Sequence, residues 1–115
     1  MKVIVVDDHQ LVLEGFTGIL THGGCHIVGS YTDPRKALTA ILELKPDVVL
    51  TDLDMPHLNG QELITEVRAK IPEQKFVLLT MHLNQQLIKK MMRLKVSADL
   101  SKNAHPEELM EAVSA

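Results

Sequence analysis

Apolar residues recur along the chain at two different spacings, which predict strands and helices in alternation. Short apolar runs occupy residues 3–6, 25–31, 48–50, 76–79 and, more weakly, 98–101. The segments 3–6, 48–50 and 76–79 are uninterrupted, and such runs are typical of strands that are covered on both faces, whereas 25–31 is a strand candidate that contains polar residues. Between them lie longer stretches in which apolar residues recur every three or four positions, which is the spacing of one helix face. The pattern therefore predicts the element order βαβαβαβαβα.

Start and stop signals support the predicted helices. Thr32 or Asp33 can cap the second helix, with Pro34 in its first turn, and the segment 22–24, His-Gly-Gly, ends the first helix. The apolar positions of the fourth predicted helix are Leu83, Leu87, Ile88, Met91, Met92 and Leu94. We expect both methionines of that helix to lie in the core.

The alternation of buried strands and helices favours a parallel sheet with helices on both of its faces. Right-handed crossover connections then restrict the topology to a doubly wound α/β fold. No linker or low-complexity segment interrupts the pattern, so we expect a single domain over residues 1–115. In such a sheet, ligands bind outside the carboxyl ends of the strands.

Composition and charge exclude several functional classes. The 115 residues include 12 Lys and Arg against 15 Asp and Glu, which gives a net charge of −3, and 3% are aromatic. A surface that binds nucleic acid normally has a basic excess, so we expect no nucleic-acid binding by this segment. The first apolar run is too short for a signal peptide or a membrane span. With one cysteine, Cys25, predicted to be a small buried residue, we expect a reduced cytoplasmic protein without membrane contacts.

Polar residues follow four of the apolar runs, at the edge where a parallel sheet would bring them together. They are Asp7, Asp8, Asp52, Thr80 and Lys102. Carboxylates about 5 Å apart repel each other by roughly 3 kcal/mol per pair at an effective dielectric constant of about 20, and a divalent cation relieves that repulsion. Oxygen donors without paired His or Cys favour Mg²⁺. The lysine and the hydroxyl suit phosphoryl oxygens, so the central Asp52 is a candidate nucleophile that would form an aspartyl phosphate.

This set of residues resembles the receiver domain of bacterial two-component response regulators. The resemblance rests on Asp7-Asp8, on Asp52 with Met55-Pro56 and Asn59-Gly60 after it, on Thr80 and on Lys102. It implies a sheet of five parallel strands in the order 2-1-3-4-5 with five helices. The segments 7–9, Asp-Asp-His, and 79–82, Leu-Thr-Met-His, resemble the subgroup whose receivers precede a LuxR-type helix-turn-helix domain.

The resemblance also implies a metal site and an acceptor. Asp52 would take a phosphoryl group from a phosphohistidine on a sensor histidine kinase. Asp8, Asp52 and the backbone carbonyl of Asp54 would ligate Mg²⁺, with Asp7 acting mainly through a water. Such a protein is not a conventional enzyme, because it catalyses only its own phosphorylation and dephosphorylation.

The same resemblance implies how the phosphorylated state is detected and transmitted to an effector. Lys102 would pair with the phosphoryl oxygens, and Thr80 would turn its hydroxyl onto the phosphate to report the modified state. A DNA-binding effector domain would lie outside this chain, and phosphorylation would favour a homodimer.

Four positions depart from the family pattern. Asp99 stands where an aromatic ring or His is usual, three residues before Lys102, and we expect its carboxylate to face solvent in both states. Asn103 replaces a common proline, which argues against a cis peptide at that bond. Lys95 replaces a small residue, often glycine. Asp54 adds a fourth carboxylate near the pocket, which we expect to alter the lifetime of the phosphoryl group.

The remaining polar residues admit simpler interpretations. The six histidines have no metal-ligand spacing, so we expect solvated or capping roles for most of them, with His82 near the rim of the pocket. A basic stripe on the fourth helix is explained by a solvated face, although a contact surface for a second copy or an effector remains an alternative. Its residues are Lys89, Lys90, Arg93 and Lys95.

Two other functions remain open from the sequence. A phosphatase of the haloacid-dehalogenase type also has Asp-x-Asp after an apolar strand, as at Asp52-Leu53-Asp54, but the final acidic motif and the cap are missing. The other is a protein-interaction module that keeps the fold and acts without phosphorylation. The complete set of acidic, hydroxyl and lysine positions argues against this second alternative.

Overall fold

Five parallel strands form a single sheet in the order β2-β1-β3-β4-β5. The computed structural model describes residues 1–81, 84–96, 98–102 and 105–114, with Asp99 described by its backbone alone. The strands are β1 (Lys2–Val6), β2 (His26–Tyr31), β3 (Val48–Asp52), β4 (Lys75–Thr80) and β5 (Ala98–Ser101). The helices are α1 (Gln10–His22), α2 (Pro34–Leu44), α3 (Gly60–Lys70), α4 (Gln85–Leu94) and α5 (Pro106–Ser114). The predicted fold class and strand order are confirmed.

The continuous apolar runs are explained by two cores, one on each face of the sheet. Along β1, Val3 and Val5 pack with residues of α1 and α5, whereas Ile4 and Val6 pack with residues of α2, α3 and α4. Successive side chains of a strand point to opposite faces, so both sets must be apolar when both faces are covered. All four residues are fully buried.

The helix termini follow the predicted signals. Asp33 caps α2, because its Oδ1 accepts a hydrogen bond from the Arg35 backbone N–H at 2.9 Å, and Pro34 occupies the first turn. The Arg35 guanidinium also pairs with this carboxylate and lowers the pKa of Asp33 to about 2. Asn59 and Glu62 form a reciprocal capping box at the start of α3, where helix-terminal N–H groups would otherwise lack partners.

Two predicted core positions are wrong. Met91 is buried, but Met92 is 71% exposed, because adjacent residues on a helix point about 100° apart and only one of them can face the core. Cys25 is only partly buried. The basic stripe is solvated as predicted, although Lys95 caps α4 rather than belonging to it.

Lys95 has a left-handed backbone conformation, with φ of 55°. This conformation costs an L-residue about 1–2 kcal/mol relative to glycine, part of which is offset by the greater unfolded-state entropy of glycine. We expect Lys95→Gly to raise the free energy of unfolding by about 0.5–1 kcal/mol in urea denaturation.

The matched control for Lys95→Gly is Lys90→Gly, an exposed position inside the same helix. There the conformation is helical, and we expect glycine to lower the free energy of unfolding by about 1 kcal/mol. If both substitutions were destabilising to the same extent, the left-handed conformation at Lys95 would not be a source of strain.

Candidate functional site

The sheet topology gathers the predicted polar residues at the carboxyl ends of the central strands. Asp7 directly follows β1, Asp52 and Thr80 are the last residues of β3 and β4, and Lys102 directly follows β5. The register pairs Val6 of β1 with Thr51 of β3, so Asp7 and Asp52 come next on neighbouring strands. The side chains of Asp7, Asp52 and Thr80 are all buried. The structure therefore brings these predicted residues together.

Lys102 links two of the buried carboxylates. Its Nζ lies 3.1 Å from Asp7 Oδ2 and 3.1 Å from Asp52 Oδ2, and its side chain is only 8% exposed. The backbone N–H of Lys102 donates to the Thr80 carbonyl at 2.8 Å, which fixes the end of β5 beside the end of β4. The ammonium group is thus held between β1 and β3 by backbone and side-chain contacts together.

The surroundings shift the pKa values of both members of the Lys102–Asp52 pair. Burial raises the pKa of Asp52 to about 6; Lys102 opposes this shift, and the nearby Asp7 charge adds to it. Burial by itself lowers the pKa of Lys102, but the two carboxylates outweigh it and the pKa of Lys102 is raised. The site therefore contains a charged lysine and a central carboxylate that is unusually basic.

The acidic side of the site has the features of a divalent-cation site. Asp7, Asp8, His9 and Asp52 each offer one ligand atom, and these atoms all lie within 4.8 Å of one another. Among the described residues, the Lys102 ammonium pairs with Asp7 Oδ2 and with Asp52 Oδ2, so one ammonium group serves a cluster of three carboxylates. Clustered carboxylates repel each other, and a divalent cation relieves that repulsion. The residues present fit Mg²⁺, which prefers carboxylate oxygens and retains several waters.

His9 was not among the predicted site residues. Its Nδ1 lies 3.2 Å from Asp8 Oδ1 and 3.5 Å from Asp7 Oδ1. The sequence feature that indicates a role for His9 is its position directly after Asp7 and Asp8 at the end of a strand, where the turn into α1 keeps neighbouring side chains close together. A search for the regular ligand spacings of helices and hairpins misses a residue placed in this way.

Asp54 does not join the carboxylate cluster. Its side chain is exposed, and it lines a separate cavity of about 150 Å³ with Leu53, Leu87 and Lys90 among others. The Asp54 side chain therefore lies outside the carboxylate cluster, and its effect on the lifetime of the phosphoryl group stays a prediction. The three predictions about the side chains of His82 and Asp99 and about the peptide bond before Asn103 concern parts of the chain outside the described residues.

Gly60 brings the first turn of α3 against the end of β3. An ideal Cβ on Gly60 would lie 2.6 Å from the Asp52 carbonyl oxygen and 3.0 Å from Leu53 Cα. Because these are backbone atoms, a methyl group would displace the strand end that carries Asp52. We expect Gly60→Ala to lower the free energy of unfolding by about 2 kcal/mol in urea denaturation.

Gly15 offers the matched control for Gly60→Ala. It lies on the exposed face of α1, and a Cβ there would have no other atom within 4 Å. We expect Gly15→Ala to raise the free energy of unfolding by about 0.5–1 kcal/mol, because alanine favours the helix. A stabilising effect at both glycines would contradict the close contact at Gly60.

The strand order and the clustered acidic, hydroxyl and lysine residues define a phosphoacceptor class of signalling domain. Residues 3–114 match the response regulator receiver domain family. The chain belongs to this family, which is not a family of conventional enzymes. The alternative of a haloacid-dehalogenase-type phosphatase is thereby set aside.

The similar proteins are regulators of the NarL and LuxR type. The chain is 32% identical over 114 residues to the response regulator protein VraR of Staphylococcus epidermidis, covering 98% of this chain and 54% of VraR. It is 32% identical over 115 residues to the oxygen regulatory protein NreC of Staphylococcus aureus, covering 98% of this chain and 53% of NreC. The signal receiver domain of the putative response regulator NarL from Mycobacterium tuberculosis superposes with a TM-score of 0.91 at 29% identity, covering 98% and 92% of the two chains.

Two further facts bear on the extent and placement of the chain. It spans about half the length of the first two relatives, 54% and 53% respectively. Among the described residues, no helix has the length and apolar character needed to cross a membrane.

Proposed function

We propose that residues 1–115 form the receiver domain of a transcription regulator and accept a phosphoryl group on Asp52 from a sensor histidine kinase. The observation that carries this proposal is the position of Lys102 Nζ, 3.1 Å from both Asp52 Oδ2 and Asp7 Oδ2 at the carboxyl edge of the sheet. A buried ammonium between two carboxylates is costly to desolvate, and it is suited to a phosphoryl group that brings further negative oxygens to the same place.

The transfer requires a nucleophile that is aligned and partly desolvated. An Asp52 carboxylate oxygen attacks the phosphorus of the phosphohistidine, the new oxygen–phosphorus bond forms, and the nitrogen–phosphorus bond breaks as the imidazole leaves. Burial makes Asp52 more basic than an ordinary aspartate, which strengthens it as a nucleophile while the carboxylate remains largely ionised at neutral pH. Lys102 then pairs with the oxygens of the transferred group.

The acidic residues beside Asp52 would hold the cation that this chemistry uses. Asp8 and Asp52, with the backbone carbonyl of Asp54, would ligate Mg²⁺ directly, and Asp7 would act mainly through a water. When bound, Mg²⁺ neutralises negative charge on the phosphoryl group. The close spacing of carboxylate oxygens from Asp7, Asp8 and Asp52, within 4.8 Å of one another, supports this assignment.

Phosphorylation at Asp52 would be read by its neighbours on the sheet edge. Thr80 is buried at the end of β4, and its hydroxyl would turn toward the phosphate. The added charge and acceptor oxygens would bias the position of α4 and β5, which follow Thr80 in the chain. The chain has Asp99 where an aromatic ring or His is usual, so the output would not use an aromatic ring switch.

The output would pass to a helix-turn-helix effector domain in the full-length protein and favour a homodimer. A LuxR-family DNA-binding response regulator from Staphylococcus aureus superposes with a TM-score of 0.89 at 26% identity. The receiver itself would bind no nucleic acid, consistent with its net charge of −3. It would act in the cytoplasm and contact no membrane.

Intact mass spectrometry after incubation with Mg²⁺ and acetyl phosphate tests the phosphoacceptor function. We expect one phosphoryl adduct on the wild-type protein and none on Asp52→Asn. Asp54→Asn is the matched control, because it removes an exposed carboxylate two positions away; it should still be phosphorylated, with a changed rate of dephosphorylation. An unmodified wild-type protein would favour a module that binds its partners without phosphorylation.

A further inference from the structure

His9 turns its imidazole toward the acidic residues instead of capping the helix that it precedes. It occupies the N-cap position of α1 with extended φ and ψ of −102° and 113°, yet its side chain makes no capping hydrogen bond. Its backbone N–H donates to Asp7 Oδ1 at 2.9 Å, which ties the turn to the first carboxylate. The side chain is 67% exposed, with Nδ1 3.2 Å from Asp8 Oδ1.

The imidazole therefore belongs to the same potential coordination sphere as the carboxylates. Ligand atoms of Asp7, Asp8, His9 and Asp52 lie within 4.8 Å of one another, a spacing that a single divalent ion can span. Asp7 is fully buried, with Oδ2 paired to the Lys102 ammonium at 3.1 Å and Oδ1 3.5 Å from His9 Nδ1. The Lys102 ammonium contacts Oδ2 of Asp7 and Oδ2 of Asp52, whereas His9 Nδ1 lies nearest Oδ1 of Asp8, so the two groups meet different carboxylate oxygens.

The two kinds of ligand prefer different metals. Mg²⁺ takes oxygen ligands and gains little from imidazole, whereas the affinity of a nitrogen-containing site rises from Mn²⁺ through Co²⁺ and Ni²⁺ to Cu²⁺. The identity of the metal that binds this site therefore depends on whether a nitrogen donor is within reach. An exposed His beside three carboxylates supplies one.

We propose that His9 is a metal-selectivity residue, which adds a nitrogen ligand to the acidic site and shifts its preference from Mg²⁺ toward divalent transition-metal ions. This inference rests on the proposed function in placing the cation at Asp7, Asp8 and Asp52. It goes further because it states which other metal ions, divalent transition-metal ions, compete with Mg²⁺ for the same pocket. The Lys102–Asp52 contact is not altered by this assignment, because His9 approaches the carboxylates from the α1 side.

Calorimetric titration of the metal-free chain with Ni²⁺ and with Mg²⁺ tests this role. We expect His9→Ala to weaken Ni²⁺ binding by at least about tenfold, in line with the loss of a metal-site group, and to leave Mg²⁺ binding within about twofold. Folding should not be affected, because the side chain is exposed. His22→Ala, which removes an exposed histidine at the end of the same helix, should leave binding of both ions unchanged.

A spectroscopic measurement separates coordination from a general charge effect. Electron paramagnetic resonance of bound Cu²⁺ should show nitrogen coupling in the wild type, and this coupling should be lost in His9→Ala and retained in His22→Ala. Asp8→Asn should weaken the binding of both Ni²⁺ and Mg²⁺, because both ions would occupy the same site. If His9→Ala weakened the binding of Ni²⁺ and Mg²⁺ equally, or weakened neither, the proposal for His9 would be overturned. A wild-type chain that binds no divalent ion would instead overturn the metal site of the proposed function.

Discussion

Replacing Lys102 with Met should destabilise the metal-free protein more than any other single change considered for this site. The substitution keeps an apolar side chain of similar length but removes the ammonium that lies 3.1 Å from Asp7 Oδ2 and from Asp52 Oδ2. Breaking a buried ion pair by removing one partner costs about 3–5 kcal/mol, because the opposite charge is left without compensation. We expect a loss of this size in urea denaturation with a chelator present.

The loss of unfolding free energy in Lys102→Met should depend on the presence of a divalent metal ion and on pH. A divalent cation supplies the missing positive charge, so Mg²⁺ should stabilise the variant more than the wild type. Burial raises the pKa of Asp52 to about 6, and protonation of Asp52 relieves its repulsion with Asp7, so the stability deficit of the variant should narrow toward acidic pH. Lys90→Met, at an exposed position of α4, is the matched control and should change stability by less than about 0.5 kcal/mol. An unchanged stability in Lys102→Met, or a loss that Mg²⁺ does not reduce, would contradict the bridging role.

Replacing Asp52 with Asn should have the opposite effect on the metal-free protein. Burial raises the pKa of Asp52 from 3.8 to about 6, so ionisation of this carboxyl opposes folding. A shift of this size corresponds to about 3 kcal/mol once the group is ionised in both states. Asp52→Asn removes that cost, while Lys102 keeps its ion pair with Asp7. We expect the variant to be more stable than the wild type by about 2–3 kcal/mol in chelator at about pH 8.

The sign of the pH dependence identifies the cause of this stabilisation. Because the folded-state pKa of Asp52 lies above its unfolded value of 3.8, the contribution of Asp52 to stability is fully present below about pH 4. It is lost as the pH rises through the folded-state value of about 6. The excess of the unfolding free energy of Asp52→Asn over that of the wild type should therefore grow as the pH rises from about 4 to about 6, and it should disappear below about pH 4. If plots of unfolding free energy against pH for the wild type and for Asp52→Asn stayed parallel between about pH 4 and about pH 6, the charge of the Asp52 carboxyl would not be the source of the added stability.

The sequence predicts the sheet well, because the physical constraint on each strand is visible in its residues. A strand covered on both faces needs apolar residues at successive positions, and Val3 to Val6 have this property. Parallel topology then places the residue that follows each run at one edge. The sequence pattern alone therefore predicts that Asp7, Asp52 and Lys102 lie close together.

The parts that the sequence did not predict depend on loop and helix geometry. Asp54 lies only two residues from Asp52, but it stands in the loop after β3 and not on the strand, so the alternation of side chains along a strand does not fix its direction. The side chain of Asp54 is left exposed. Likewise, the orientation of His9 depends on the turn between β1 and α1, which apolar spacing does not describe.

Chemical trapping of the phosphorylated residue tests most directly the claim that Asp52 is the acceptor. Borohydride reduces an aspartyl phosphate to homoserine, which peptide mass spectrometry assigns to a sequence position. After incubation with Mg²⁺ and acetyl phosphate, the account predicts homoserine at position 52 and none at positions 7, 8 or 54. Homoserine at one of those other positions, with aspartate retained at 52, would contradict it.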